Sequence, residues 1–372
     1  MSFIRRLLGR IDTQQEQLLN LIEAHTDKQT RKQLQKRVVA GEITLQKRVA
    51  AGEVVYAHIP TEPELSEEIK ELAYKESYDS YSKNAYEEIT KLIAPNILGM
   101  RAIKQAAALQ LFCKERIHIL LLGDPGTGKT DILSSSNQLA EISSMGLGSG
   151  TTGAGLSVSY TKDGLQKGLL VQANNGICCI DELNLMKKED QAALYNAMEK
   201  GFVSYDKAGR NEKHDANVRI LATANPKGDQ FEGENTQQLR KQLPFEAALI
   251  SRFHLVFIIR KPDKKQFLDI TKKIVKNQKK THASTEYATS YIKHAQKISV
   301  DFPNHLEVLV SEAAEKIKDA EEKLLIEVSP RIVNGIIGLS KASARMHLRE
   351  KVKPEDVRNA LELLSASLDI TL

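Results

Sequence analysis

Four short runs of consecutive apolar residues interrupt stretches in which apolar positions recur every three to four residues. The runs are IHILLLG (117–123), GICCID (176–181), VRILATANP (218–226) and HLVFIIRK (254–261). An apolar run of this length bounded by polar residues reads as a strand buried on both faces. The stretches 131–141 and 188–200 between them have helical spacing. Strands alternating with helices predict a parallel sheet covered by helices. After Pro262 the pattern predicts helices to the end, near 264–280, 286–298, 304–324, 330–348 and 354–367. Ser329-Pro330 and Lys353-Pro354 suit helix starts, because proline is tolerated in the first turn. Upstream, Pro60 and Pro63 mark a boundary, and EPELSEEIKELAYKES (62–77) predicts a helix with Ser66 as N-cap. Three regions follow: an arm over 1–60, an α/β core over 61–262 and a helical region over 263–372. One stretch does not fit the alternation. LGSGTTGAGLSVSYTKDG (147–164) is polar and rich in Gly, Ser and Thr, yet it lies just before the apolar run at 176.

Charge changes the picture mainly at the N-terminus. Residues 1–50 hold ten Lys and Arg against five acids, which accounts for the whole formal net charge of +5. Such an arm is either a polyanion-binding segment or a solvated helix face. It contains a repeat, LQKRVVAGE (34–42) and LQKRVAAGE (45–53), at a spacing of three helical turns. Gly41 and Gly52 disfavour a continuous helix there, which leaves short turns or strands open. Cys113, Cys178 and Cys179 form no CxxC pair and no zinc spacing. Cys178 and Cys179 read as core thiols, and a reducing, intracellular compartment, cytoplasmic or nucleoid-associated, fits all three. No run is long enough for a membrane span, and the opening MSFIRRLLGR is not read as a signal peptide.

The chemistry lies at the ends of the apolar runs. Gly123, Asp124, Pro125, Gly126, Thr127, Gly128, Lys129 and Thr130 fit the phosphate-loop pattern G-x-x-x-x-G-K-[ST], with Asp131 next in the following helix. Glycines there let backbone N–H groups close on phosphate oxygens, and the helix N-terminus adds positive potential. Lys129 would reach the β- and γ-phosphates of ATP, and Thr130 would ligate Mg²⁺. Asp181 and Glu182 end the second run about fifty residues later. Asp181 would hold the Mg²⁺ shell, and Glu182 would take a proton from the attacking water. Asn225 ends the third run and would hydrogen-bond the γ-phosphate and that water; Arg252 stands just before the fourth. In this order they are the parts of an oligomeric AAA+ ATPase, in which the arginine serves a neighbour's site.

The sequence resembles a narrower family. GDPGTGKT, NNGICCIDELNLM, VSYDKAGRNEKHDANVRILATANP and LISRFHLVF are similar to the motifs of minichromosome-maintenance (MCM) helicases. So are ITKLIAPNILGMRAIKQAAALQLF upstream and VSPRIVNGIIGLSKASARMHLREKVKPEDVRNAL downstream. The resemblance covers roughly 62–372 and implies an AAA+ P-loop core, a helical lid and a ring, hexameric in the family. It implies that Arg331, in the lid, joins Arg252 in serving the neighbour. It implies two inserted β-hairpins, about 147–170 and 202–218, that line a DNA channel. Lys162 and Lys167 would charge the first; Lys207, Arg210 and Lys213 would charge the second. The polar stretch at 147–164 is then a channel insert. Expected partners are further copies of the chain, DNA in single-stranded form and replication proteins.

Some residues depart from the family pattern. GTGKT stands where Ala-Lys-Ser is usual, LNLM where Phe-Asp-Lys-Met is usual, and His254 where Asp is usual. The first hairpin is shorter, and about 60 residues stand in place of a large N-terminal region. No winged helix follows the lid. The resemblance is therefore to the motor region alone. Two other readings are a protein remodeller of chelatase or MoxR type and an inactive ATP-binding ring partner; the presence of Glu182 and Arg252 argues against the last.

Overall fold

The computed structural model describes residues 49–50, 53–54 and, from 77 to 370, all but 163, 208–209, 229, 234–235, 263, 265–267, 269–284 and 325–328. The chain divides into two compact units between Asn84 and Ala85. In the first, Val49–Ala50 and Glu53–Val54 form a small antiparallel ribbon in the second copy of the repeat. The short-strand alternative holds there. The first copy, the helix start at Ser66 and nearly all of 264–280 lie outside the described residues.

The second unit holds nine strands among its described residues. They are β1 (Ile119–Gly123), β2 (Ser143–Leu147), β3 (Val158–Thr161), β4 (Gly164–Lys167), β5 (Ile177–Asp181), β6 (Phe202–Lys207), β7 (Arg210–Asp215), β8 (Arg219–Ala224) and β9 (Leu255–Ile259). Five form one parallel sheet in the order β9-β1-β8-β5-β2. Every residue of β1, β5 and β8 is buried, as expected for strands covered on both faces. Each leucine in β1 stabilises the fold by about 1.5–3 kcal/mol on burial. The apolar pattern missed β2. It lies at the sheet edge against β5 alone, so only part of it is buried, and SSMGL carries no apolar run.

Helices α1 (Ala85–Leu92), α2 (Arg101–Phe112), α3 (Lys129–Leu139) and α4 (Ala192–Lys200) belong to the core. Helices α5 (Thr285–Gln296), α6 (Glu307–Asp319), α7 (Pro330–Met346) and α8 (Pro354–Leu368) follow the sheet. Pro330 and Pro354 open α7 and α8, as the sequence predicts. The lid's clamp is the fully buried Asp356, gripped by both Arg349 guanidinium nitrogens at 2.8 Å and by Ser343 Oγ at 2.6 Å. Buried Arg345 donates to the Phe112 and Ile298 carbonyls, so α7 satisfies the C-terminus of α2. At the other sheet edge, Val256 N–H of β9 donates to Ser367 Oγ of α8 at 2.8 Å. That contact covers an otherwise open ladder group. No described helix is long and apolar enough to cross a membrane.

Two antiparallel hairpins stand outside the sheet: β3–β4, joined at Thr161 and Gly164, and β6–β7, where Lys207 faces Arg210. The polar stretch at 147–164 is more ordered than its composition suggests. It ends β2, makes a 3-10 turn at Gly148–Gly150 and a helical turn at Gly153–Leu156, and then enters β3.

Candidate active site

Because the five sheet strands run the same way, their C-terminal ends share one edge. β8 lies between β1 and β5 though it follows both in sequence, so the crevice beyond these ends is a site where parallel sheets bind ligands. The loop after β1 enters α3 through Gly128 at φ +83°, a left-handed conformation that suits glycine. A Cβ there would also meet the Ile97 side chain at 2.9 Å. Lys129 is buried, and its ammonium donates to the Gly123 and Asp124 carbonyls at 2.6 and 2.8 Å. Burial lowers its pKa, against the opposing pull of Asp124, Asp181 and Glu182. Phosphate oxygens would satisfy the same three N–H donors.

Thr130 Oγ1 donates to Asp181 Oδ2 at 2.8 Å. The hydroxyl and the carboxylate thus meet where a divalent cation would take one oxygen from each, and oxygen donors suit Mg²⁺. The other Asp181 oxygen accepts from the Thr223 hydroxyl. Thr223 Oγ1 in turn accepts the Glu182 N–H at 2.9 Å. Glu182 sits at φ +51°, ψ +45°, an uncommon conformation for a non-glycine residue and one that concentrates at functional sites. Behind it, the turn at Gly148 passes so close that a Cβ would lie 2.2 Å from the Glu182 carbonyl oxygen. Asn225 is held at its backbone: its N–H donates to Asn184 Oδ1 at 3.0 Å.

The remaining loop residues divide by what their side chains do. The Asp124 carboxylate accepts the Phe231 and Lys261 N–H groups, each at 2.9 Å. It braces the loop against the segments after β8 and β9. Thr127 Oγ1 donates to the Asp124 carbonyl at 2.8 Å. Gly126 and Asp131 are exposed, and Pro125 is half-buried.

Arg252 and Arg331 lie at the other sheet edge. Leu255 is level with Ile119 and Ile259 with Gly123, so Arg252 precedes β9 where the loop follows β1. A five-residue strand spans about 16 Å. The arginines meet on one acid: Glu199 Oε2 lies 3.0 Å from Arg252 and Oε1 3.7 Å from Arg331. The Arg252 guanidinium also stacks over Tyr195, 4.6 Å from the ring centroid. Arg331 donates to the Ser251 carbonyl at 3.3 Å. Burial, then the charge of Arg252, lowers the Arg331 pKa. Beside them, His254 Nδ1 accepts the His118 N–H at 3.1 Å.

The hairpins carry the expected cations unevenly. Lys162 is exposed at the turn of the first, whereas Lys167 is at its base, opposite Val158. Lys213 is also set back from the tip, with its ammonium 4.9 Å from the Phe202 ring centroid. The side chains of Lys207 and Arg210 lie outside the described residues. The two hairpins touch: Tyr160 packs on Tyr205 at 5.1 Å between centroids, and its hydroxyl donates to Glu212. Sequence reasoning missed Thr223, Asn184, Tyr195, Glu199, Tyr160 and Glu212. None carried a signal in the sequence: Thr223 lies beside Asp181 only because Ala222 is level with Ile180 in the sheet.

Two family descriptions match the chain: the MCM P-loop domain over residues 75–278 and the MCM AAA-lid domain over 286–368. The chain is 33% identical over 331 residues to the DNA replication licensing factor mcm7 of Xenopus tropicalis, an alignment covering 82% of this chain and 46% of that protein. It is 30% identical over 339 residues to the DNA replication licensing factor MCM5 of Oryza sativa subsp. indica, covering 80% and 46%. It is 30% identical over 309 residues to the minichromosome maintenance protein MCM of Saccharolobus solfataricus, covering 76% and 45%. The chain thus spans about half the length of these relatives.

Proposed function

Because the chain belongs to the minichromosome-maintenance (MCM) family of AAA+ proteins, we propose that it is the motor of an ATP-hydrolysing ring that moves on or unwinds DNA in replication. The ring is a hexamer whose ATP sites are shared between neighbours. The observation that carries this reading is the separation of the two halves of the chemistry. Lys129, Thr130, Asp181 and Glu182 gather at the C-terminal edge of the sheet, while Arg252 and Arg331 lie beyond its N-terminal edge. With about 16 Å of strand between them, the arginines cannot serve their own loop. A head-to-tail contact that presents one edge to the other repeats from subunit to subunit and closes as a ring.

In that site the loop N–H groups from Gly126 to Thr130 and the Lys129 ammonium hold the phosphates. Thr130 and Asp181 would hold Mg²⁺, which would neutralise charge on the phosphates. Glu182 accepts the proton of the attacking water, and Asn225 orients that water and the γ-phosphate. Arg252 and Arg331 of the neighbour meet the charge that develops as the bond breaks. Lys162, Lys167, Lys207, Arg210 and Lys213 meet DNA phosphates, which carry no sequence information.

Subunit mixing tests the shared site. Lys129→Ala and Arg252→Ala are each expected to be inactive alone. Mixed, they form interfaces where an intact loop meets intact arginines, and ATP turnover returns. Hexamers that form in every mixture yet never recover turnover would refute the reading. Single-stranded DNA is expected to stimulate turnover by the wild type; stimulation by a protein substrate and not by DNA would favour the remodeller.

A further inference from the structure

We propose that Glu199 is a positioning residue for the Arg252–Arg331 pair, a single carboxylate that sets both guanidiniums for the neighbouring subunit. The inference rests on the shared-site reading. Tyr195 and Glu199 are four residues apart at the C-terminal end of α4 and so share one face of the helix. The Tyr195 ring is a floor for the Arg252 guanidinium, and each Glu199 oxygen faces a different arginine. Arg252 comes from the turn before β9 and Arg331 from the first turn of α7. Glu199 is therefore the group on which an arginine of the core and an arginine of the lid converge.

The pair has reason to separate without it. Two like charges are adjacent, and Arg252 already disfavours the charged form of Arg331. Arg331 also stands at the N-terminus of a long helix, where a cation opposes the helix dipole, and no acid lies in that first turn. Glu199 offsets both effects. It does so without occupying either guanidinium fully, because an arginine has five N–H donors. Arg252 gives one nitrogen to Glu199 and another to the Ala248 carbonyl, each of which keeps a further N–H. Glu199 is about half exposed, at 48% of its side-chain surface, so its ion pairs contribute little to folding. Its loss should act on geometry at the neighbour's γ-phosphate and not on stability.

Turnover by wild type, Glu199→Ala and Glu199→Gln hexamers tests this, with two mixing series. Each variant is expected to lower kcat by roughly tenfold to a hundredfold, the range for a displaced catalytic group. The thermal midpoint should stay close to wild type. Glu199→Gln keeps the size and one acceptor but loses the charge, and so guards against a folding defect in Glu199→Ala. Mixed with Lys129→Ala, either variant should regain turnover, because the Lys129→Ala chain donates an intact Glu199 and arginine pair. Mixed with Arg252→Ala, neither should, because both defects then lie on the donating face. Wild-type kcat in both variants overturns the proposal, as does recovery with Arg252→Ala in place of Lys129→Ala. If Lys129→Ala and Arg252→Ala themselves fail to complement, it is the shared-site reading that has failed.

Discussion

Thr223 shows how much one hydroxyl can hold. It donates to Asp181 Oδ1 and accepts from the Glu182 N–H, so one oxygen orients the expected Mg²⁺ ligand and the expected base together. Thr223→Val keeps the shape and removes both bonds, leaving Asp181 Oδ1 and the Glu182 N–H only their long 3.2 Å bond to each other, at a cost of about 1 kcal/mol for each bond lost. We expect kcat to fall at least about tenfold, with Thr223→Ser restoring most of it; equal kcat for Val and Ser would show the hydroxyl to be idle. Glu182→Gln is a sharper change. It should bind ATP yet hydrolyse it at least about a hundredfold more slowly, since general-base catalysis typically contributes 10²–10⁴. Near wild-type turnover in that variant would remove Glu182 from the role. The sequence already placed Glu182 at the end of an apolar run. It gave no sign of the left-handed backbone that turns the residue, because φ follows from the packing of the next turn and not from residue type.

Between elements, the contact that bears most on the proposed DNA binding joins the two hairpins. Tyr160 of β3 and Tyr205 of β6 pack with their rings inclined at 57°, and the Tyr160 hydroxyl reaches Glu212 of β7. Aromatic pairs of this geometry contribute about 0.5–1.5 kcal/mol beyond area burial. The hairpins should therefore shift together. Tyr160→Ala is expected to lower DNA stimulation of ATPase activity more than it lowers activity without DNA; equal loss in both would argue against coupling. If Lys207 meets a phosphate, Lys207→Ala should reduce the slope of log K against log salt by about 0.7 on single strands. An unchanged slope, together with loss of binding on deleting residues 1–60, would assign DNA binding to the basic arm. Both hairpins were legible as inserts through the family resemblance. Their contact was not, because Tyr160 and Glu212 are 52 residues apart in sequence, and a motif does not say which of its side chains meet another segment.

Over the whole second unit, two buried histidines sit near the junction of sheet and lid. His254 is held down at a pKa of about 4 by burial, with Arg331 and Arg116 adding to the shift. His118 is lowered well below its ordinary value by burial, His254, Arg116 and Arg331, against the carbonyl of Met198, which favours its charged form. Both therefore stay neutral in the folded chain at pH values where the unfolded chain binds protons. Stability should then be fully present above about pH 6.5 and fall as pH drops toward 4, by up to about 1.4 kcal/mol per pH unit for each histidine. His254→Asn keeps an acceptor for the His118 N–H and removes one titration. Urea unfolding across this range should show a shallower pH dependence in the variant, and an identical slope would exclude His254 as a contributor.

The sequence by itself determined the covered strands, the phosphate loop, the acids at the end of β5 and the helix starts at Pro330 and Pro354. Each of these rests on local physics: apolar runs that must be buried, glycines that permit a tight loop, prolines that lack an N–H. The edge strand β2 escaped because a strand paired on one side need not be apolar throughout. Tertiary structure alone decided the rest. Thr223 meets Asp181 only through the register of β8 on β5, and Arg252 lies opposite the loop only because β9 runs parallel to β1. Glu199 gathers two arginines that are 79 residues apart in the chain only because α4, the turn before β9 and the start of α7 converge at one edge of the sheet. Periodicity and spacing report what a segment does with its neighbours in sequence, and these contacts are made by segments that have none in common.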